Sequence, residues 1–252
     1  MIPLSDDNSG HTIRPYVNYL LIILNIFVFI YFQGLGSNAA FTNGYSTVPA
    51  EILTGRDIVT EGQSIIDAYT GQQYEIPGLM PTLIPVWLTL FTSMFMHGGL
   101  AHLGGNMLYL WIFGDNIENR LGHTRYLLFY LLTGIIASLS HVFATFFTGQ
   151  NSLIPSLGAS GAISGVLGAY IILFPFQKVR VLVFVFLIRV PALLALGFWI
   201  FFQVVSGLGV LGGESDGVAY AAHIGGFLAG IMLIKVFDKK AAKTTTSIFS
   251  RF

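Results

Sequence analysis

A few polar side chains stand in stretches that are otherwise apolar enough for lipid, and their types are those of acyl-transfer chemistry. Ser160 lies in "LGASGAISGVLGAY", Leu157 to Tyr170, flanked by Gly158 and Gly161, which give a reactive hydroxyl room. His97, His102 and Asn106 lie in "HGGLAHLGGN", and His223 lies in "AAHIGGFLAG". A serine hydroxyl is a poor nucleophile until a base within hydrogen-bond reach takes its proton, and a buried imidazole, held neutral, is such a base. The developing oxyanion then needs donors. Asn106, His102 and the Ser160 backbone N–H are the candidates.

Each motif also has a plainer reading. Gly161, Gly165 and Ala169 make a small-xxx-small stripe that lets helices touch. "GASG" is not the nucleophile elbow of soluble hydrolases, because Ala162 stands where G-x-S-x-G wants glycine. No Gly-Lys-Ser/Thr follows to make a phosphate loop. The two readings meet in the glycines. His223 precedes Gly226 and Gly230 by three and seven residues and so shares their helix face. Ser160, Ser164 and Gly168 make a stripe at i, i+4 and i+8. Packing the two stripes would bring Ser160 beside His223.

These residues need elements to hold them, and composition says which kind. Of 252 residues 54% are hydrophobic and 10% charged, against about 25% charged in an average soluble domain. The mean hydropathy is +0.73. This is the profile of an all-α polytopic membrane protein. Net charge is zero, which points to no nucleic-acid partner. With no cysteine, disulfides and thiolate metal sites are excluded. His97, His102 and His223 have the donor type for zinc, but no carboxylate base accompanies them and Ser160 would have no task, so zinc is the weaker reading; that no metal or other cofactor is used is implied only by the family resemblance given below.

A crossing helix needs about 20 apolar residues. Six runs qualify, at about 16–32, 100–117, 125–147, 159–176, 191–210 and 218–237, the first read as an uncleaved span. Two further apolar stretches, 81–96 with Pro81 and Pro85 and the valine-rich 179–188, read as interfacial or re-entrant. Six spans with both ends inside put every Lys and Arg except Arg56 on the cytoplasmic side. The expected organisation is a cytoplasmic N-terminus at 1–15, a membrane domain at 16–237 with a large external loop at 33–98, and a basic cytoplasmic tail at 238–252. Asn18, Asn25 and Gln203 read as interhelical hydrogen-bonders, His141 as a packed histidine, and Phe198, Trp199, Phe201 and Phe202 as packing and interface.

"HGGLAHLGGN", "GASG" and "AAHIGG", in that order across six runs, with "FGDNIENRLG" at the inner end of the second, resemble the rhomboid family of intramembrane serine proteases in its bacterial six-span form. The resemblance implies a rhomboid-like six-helix bundle in the bacterial cytoplasmic membrane. It implies Ser160 as nucleophile, His223 as general base with no acidic third member, Asn106 and His102 in an oxyanion hole, and His97 in support. It also implies a water-filled cavity opening outward and cleavage of single-span membrane proteins near the outer end of the substrate helix. Two departures are visible. Some members carry a tyrosine four residues after the nucleophile, on which the histidine stacks, where this chain has Ser164. Many carry Trp-Arg in the first loop, where this chain has Trp87-Leu88.

Overall fold

In the computed structural model, which describes residues 1–66, 73–76, 78–211 and 218–238, the chain forms a helical bundle closed at one end by a small sheet. The strands are β1 Ile2–Ser5, β2 Gln63–Ile66, β3 Gln73–Ile76, β4 Lys178–Val183 and β5 Phe186–Pro191. The helices are α1 Tyr16–Phe27, α2 Ala39–Tyr45, α3 Pro49–Thr54, α4 Thr89–Thr92, α5 Leu100–Leu121, α6 His123–Thr148, α7 Ser160–Leu173, α8 Ala192–Leu211 and α9 Tyr220–Phe237. The six long ones coincide with the six apolar runs, α1 being continued by a π-helical turn at Val28–Phe32. By length and composition α6, the Ala192–Gly209 part of α8, and α9 are each apolar enough to cross a membrane. The expected basic tail, beyond Asp238, lies outside the described residues.

Helix α7 is the axis of the bundle. Its Val166, Leu167, Ala169 and Tyr170 have no exposed surface, and it packs against α9, α6 and α5. Such a helix, apolar all round, belongs in an interior. The stretch 81–96 does not cross. It breaks into the short helical pieces Val86–Leu88, α4 and Ser93–Phe95, with Met94, Phe95 and Met96 buried, which agrees with its two prolines.

The valine-rich 179–188 stretch, expected to be interfacial or re-entrant, forms a β-hairpin at the end of the helical bundle. β4 lies between β1 and β5, antiparallel to both. Lys-Val-Arg-Val-Leu-Val alternates with period two, so Val179 and Val181 turn into the core at 0% and 1% exposure. Strand β1, four residues long, is too short to announce itself.

The same end of the bundle is tied by polar groups. The Glu118 carboxylate accepts from the amides of Val17 (3.0 Å) and Asn18 (2.7 Å), at the start of α1 where helical N–H groups have no internal acceptor. Asn18 Nδ2 donates to Leu110 O at 2.9 Å, and Tyr126 Oη donates to Asn18 Oδ1 at 2.7 Å. Asn25 Nδ2 donates to Leu21 O in its own helix at 2.7 Å. Arg120 pairs with Asp238 at 2.6 Å. Glu118 and Arg120 are thus structural.

Asp6 accepts from Asn116 Nδ2 (2.7 Å) and Tyr170 Oη (2.6 Å). Burial, opposed by the Tyr170 hydrogen bond and reinforced by the Asp115 charge, pushes its carboxyl up to about 7. A carboxyl raised on folding holds its proton more tightly in the native state. Its contribution is therefore complete below the unfolded value near 4 and is lost as pH rises through 7. Asp6→Asn keeps an acceptor for both donors and removes the charge. It is expected to raise the melting temperature in detergent at pH 8, by up to about 4 kcal/mol of stability, and by clearly less at pH 5. An equal gain at both pH values would contradict the account.

Candidate active site

The nucleophile candidate owes its position to a pinned turn. Thr47 and Ser156 exchange backbone hydrogen bonds (3.0 and 2.8 Å), and Gly158 N donates to Ser93 O at 2.9 Å. The first loop therefore holds the segment leading into α7. Gly158 has φ +132°, a conformation side chains rarely adopt, and a Cβ there would stand 2.9 Å from His102 Nε2. Ser160 follows as the first residue of α7, where its amide has no intrahelical acceptor.

Helix α9 brings the imidazole because nothing keeps it away. A Cβ on Gly226 would lie 2.2 Å from Gly161 O, one on Gly230 2.0 Å from Gly165 O, and one on Gly168 2.1 Å from Phe227 O. The backbone stripe that touches α9 is thus Gly161, Gly165 and Gly168, with Ser160 meeting it by its side chain and Ser164 not at all. Ser164 is fully buried and donates back to Ser160 O at 2.6 Å. Across this contact Ser160 Oγ and His223 Nε2 stand 2.8 Å apart.

Gln203, on α8, completes the arrangement. His223 Nδ1 lies 2.6 Å from Gln203 Oε1. A carbonyl oxygen only accepts, so Nδ1 carries the ring hydrogen and Nε2 is left to accept from Ser160. The Trp199 ring lies beside the imidazole, centroids 5.9 Å apart. Gln203 and Trp199 are thus the side chains that flank the imidazole, while Ser164 is turned away from it. Gln203 was legible as a polar residue in an apolar helix; its partner was not. Trp199 turns inward, while Phe198, Phe201 and Phe202 face outward.

Ser160 and His223 line a cavity of about 750 Å³ together with His102, Asn106, Trp199 and His141. His141 is therefore a wall residue and not part of the packed core. Gly98 N donates to His102 Nδ1 at 3.3 Å, which places the hydrogen of a neutral ring on Nε2, the nitrogen facing the Gly158 turn. Asn106 is buried, and its Nδ2 has no protein acceptor. His102, Asn106 and Ser160 thus line one cavity, and the two side chains are of the donor type that an oxyanion needs. His97 is fully buried beside His102, ring centroids 5.2 Å apart. Its N–H donates to Gln33 Oε1 (2.9 Å) and its carbonyl accepts from Gln33 Nε2 (3.0 Å), so it is fixed to the end of α1. Among the described residues no cluster of three or more His, Asp or Glu has metal-binding geometry. In the first loop, Trp87 and Leu88 are both exposed, the Trp87 ring passing 3.8 Å from the Cβ position of Gly55.

Residues 85–240 match the family model of the Rhomboid domain. The chain is 36% identical over 150 residues to Rhomboid protein 1, mitochondrial, of Saccharomyces cerevisiae, covering 58% of this chain and 40% of that protein. It is 36% identical over 141 residues to Rhomboid protease GluP of Bacillus subtilis, covering 55% and 26%. It is 30% identical over 182 residues to the Presenilin-associated rhomboid-like protein, mitochondrial, of Mus musculus, covering 64% and 44%. The chain spans less than half the length of each of these relatives.

Proposed function

The chain belongs to the rhomboid family, and from that premise we propose that it is an intramembrane serine endopeptidase that cuts single-span membrane proteins in or near their transmembrane helix. The observation that carries this reading is the 2.8 Å contact between Ser160 Oγ and His223 Nε2 inside an apolar bundle. Ser160 Oγ attacks the scissile carbonyl carbon while His223 Nε2 takes its proton. The oxyanion is received by His102 Nε2–H, Asn106 Nδ2–H and the Ser160 amide. The imidazolium then returns its proton to the leaving amine, and water, activated by the same nitrogen, hydrolyses the acyl-enzyme. His97 and Gln33 hold His102 in place. Gln203 is neutral and offers the imidazolium no charge; its part is to fix the tautomer.

Depth follows from length. Helix α7 has 14 residues, about 21 Å at 1.5 Å each, less than the roughly 30 Å of a hydrocarbon layer. A serine at its first position is thus set into the layer, and the cavity supplies the water the reaction consumes. We place both chain ends on the side that carries all the Lys and Arg but Arg56. That orients the chain in whichever membrane holds it, the relatives' names including both mitochondrial proteins and a Bacillus one.

The test is cleavage of a single-span reporter by the protein in liposomes with chelator present, followed by trapping with a serine-directed phosphonate. The reading expects chelator-indifferent cleavage and an adduct mapped by mass spectrometry to Ser160. Loss of activity with chelator, or an adduct elsewhere, overturns it. Gln203→Leu is expected to lower kcat by about 10- to 100-fold with little change in KM, because Nδ1–H loses its acceptor and the productive tautomer is no longer enforced. An unchanged kcat would remove Gln203 from the mechanism.

A further inference from the structure

We propose that the outward face of the β1-β4-β5 sheet binds the headgroup of an anionic phospholipid, at the end of the bundle opposite the serine. In the ladder Arg180 stands directly across from Arg189, with Ser5 on its other side. Paired residues share a face, and like charges directly opposite one another repel. Lys178, two residues before Arg180, faces the same way. All three cations are exposed, and among the described residues none has an ion-pair partner. They line a cavity of about 820 Å³. An anion lying between the guanidiniums converts the repulsion into charge-assisted, bidentate contacts.

Two carboxylates also line that cavity and do not cancel the cations. Asp6 is committed to Asn116 and Tyr170, and burial raises its carboxyl to about 7. Asp7 is exposed and accepts from Ser9 N. Three cations therefore outnumber the two carboxylates.

The neighbouring row identifies the anion as a lipid. Ile2, Leu182 and Leu187 lie side by side on the same face, next to the arginines. Beyond them the hairpin ends in Phe184 and Val185, 92% and 81% exposed. Such a tip on a sheet at the end of a membrane-embedded bundle fits burial in the adjoining leaflet. A soluble phosphate gains nothing from that row; an acyl chain does.

The experiment is native mass spectrometry of the full chain released from detergent, titrated with phosphatidylglycerol, phosphatidylcholine or glycerol phosphate. Wild type is expected to retain phosphatidylglycerol about tenfold more strongly than phosphatidylcholine, and Arg180→Gln/Arg189→Gln to lose that preference. Arg180→Lys/Arg189→Lys should keep part of it, and Arg125→Gln all of it. If the double glutamine variant fails to fold, Arg189→Gln alone, on the edge strand, decides, with a several-fold loss expected. Equal retention of the two lipids by wild type, an undiminished preference in the glutamine variants, or displacement by glycerol phosphate as effective as by lipid would overturn the proposal. None of these readouts depends on proteolysis.

Discussion

Ser160→Ala is expected to cut reporter cleavage by roughly 10³-fold or more, with the protein's thermal stability unchanged. The hydroxyl is the atom that would bond to the substrate, and at 2.8 Å from His223 Nε2 it is placed to lose its proton. The informative comparison is Ser164→Ala. Its hydroxyl sits one turn further along the same helix, yet it is fully buried and spends its hydrogen on Ser160 O. That substitution should leave the rate within a few-fold of wild type, the residual effect arising from a helix carbonyl that loses one donor. His223→Ala should match Ser160→Ala, and the double variant should be no worse than either, since the two act as one unit. Kinetics on all four proteins with one single-span reporter settle the matter: a Ser160→Ala enzyme that still cuts, or a Ser164→Ala enzyme that does not, moves the nucleophile to Ser164.

Much of this site was open to reading because lipid makes polar residues conspicuous. In an apolar run a serine, histidine or asparagine is costly and has to be explained, so Ser160, His223, His102 and Asn106 stood out by type alone. The meeting of Ser160 with His223 followed from the glycines, since only bare helix faces let α7 and α9 touch. What stayed hidden depended on facing directions across separate helices. Gln203 was visibly polar, but nothing in its neighbourhood tells that its carbonyl meets His223 and not another helix. His141 is spaced like a core residue and lines the cavity. The sheet was hidden for another reason. Six-residue strands rich in valine look like a fragment of a membrane run, and their partner β1 lies at the far end of the chain, over 170 residues away in sequence.

The glycine contact itself is open to a direct test. Gly226→Val is expected to abolish cleavage and to lower the melting temperature. A Cβ at this position would lie 2.2 Å from Gly161 O and 3.2 Å from Ala137 Cβ. The first obstacle is backbone, which cannot rotate away, so α9 has to move off α7 by an ångström or more. Such overpacking costs about 1–3 kcal/mol in a well-packed interior, which fits a bundle that stays folded but is weakened. The effect on activity is larger than the effect on stability. Gly226 lies one turn below His223, and a shift of that size breaks the Ser160 hydrogen bond while drawing Nδ1 away from Gln203; misplacement of about 1 Å at a reacting pair can cost 10²-fold. Gly104→Ala is the control, since nothing lies within 4 Å of its Cβ position on the exposed side of α5. It should leave cleavage intact and, by removing a helical glycine, stabilise by up to about 1 kcal/mol. Thermal melting in detergent and phosphonate labelling of Ser160, measured on both variants, separate the two effects. A Gly226→Val protein that melts early yet labels at the wild-type rate would show that the helices need not lie flush for the serine to react.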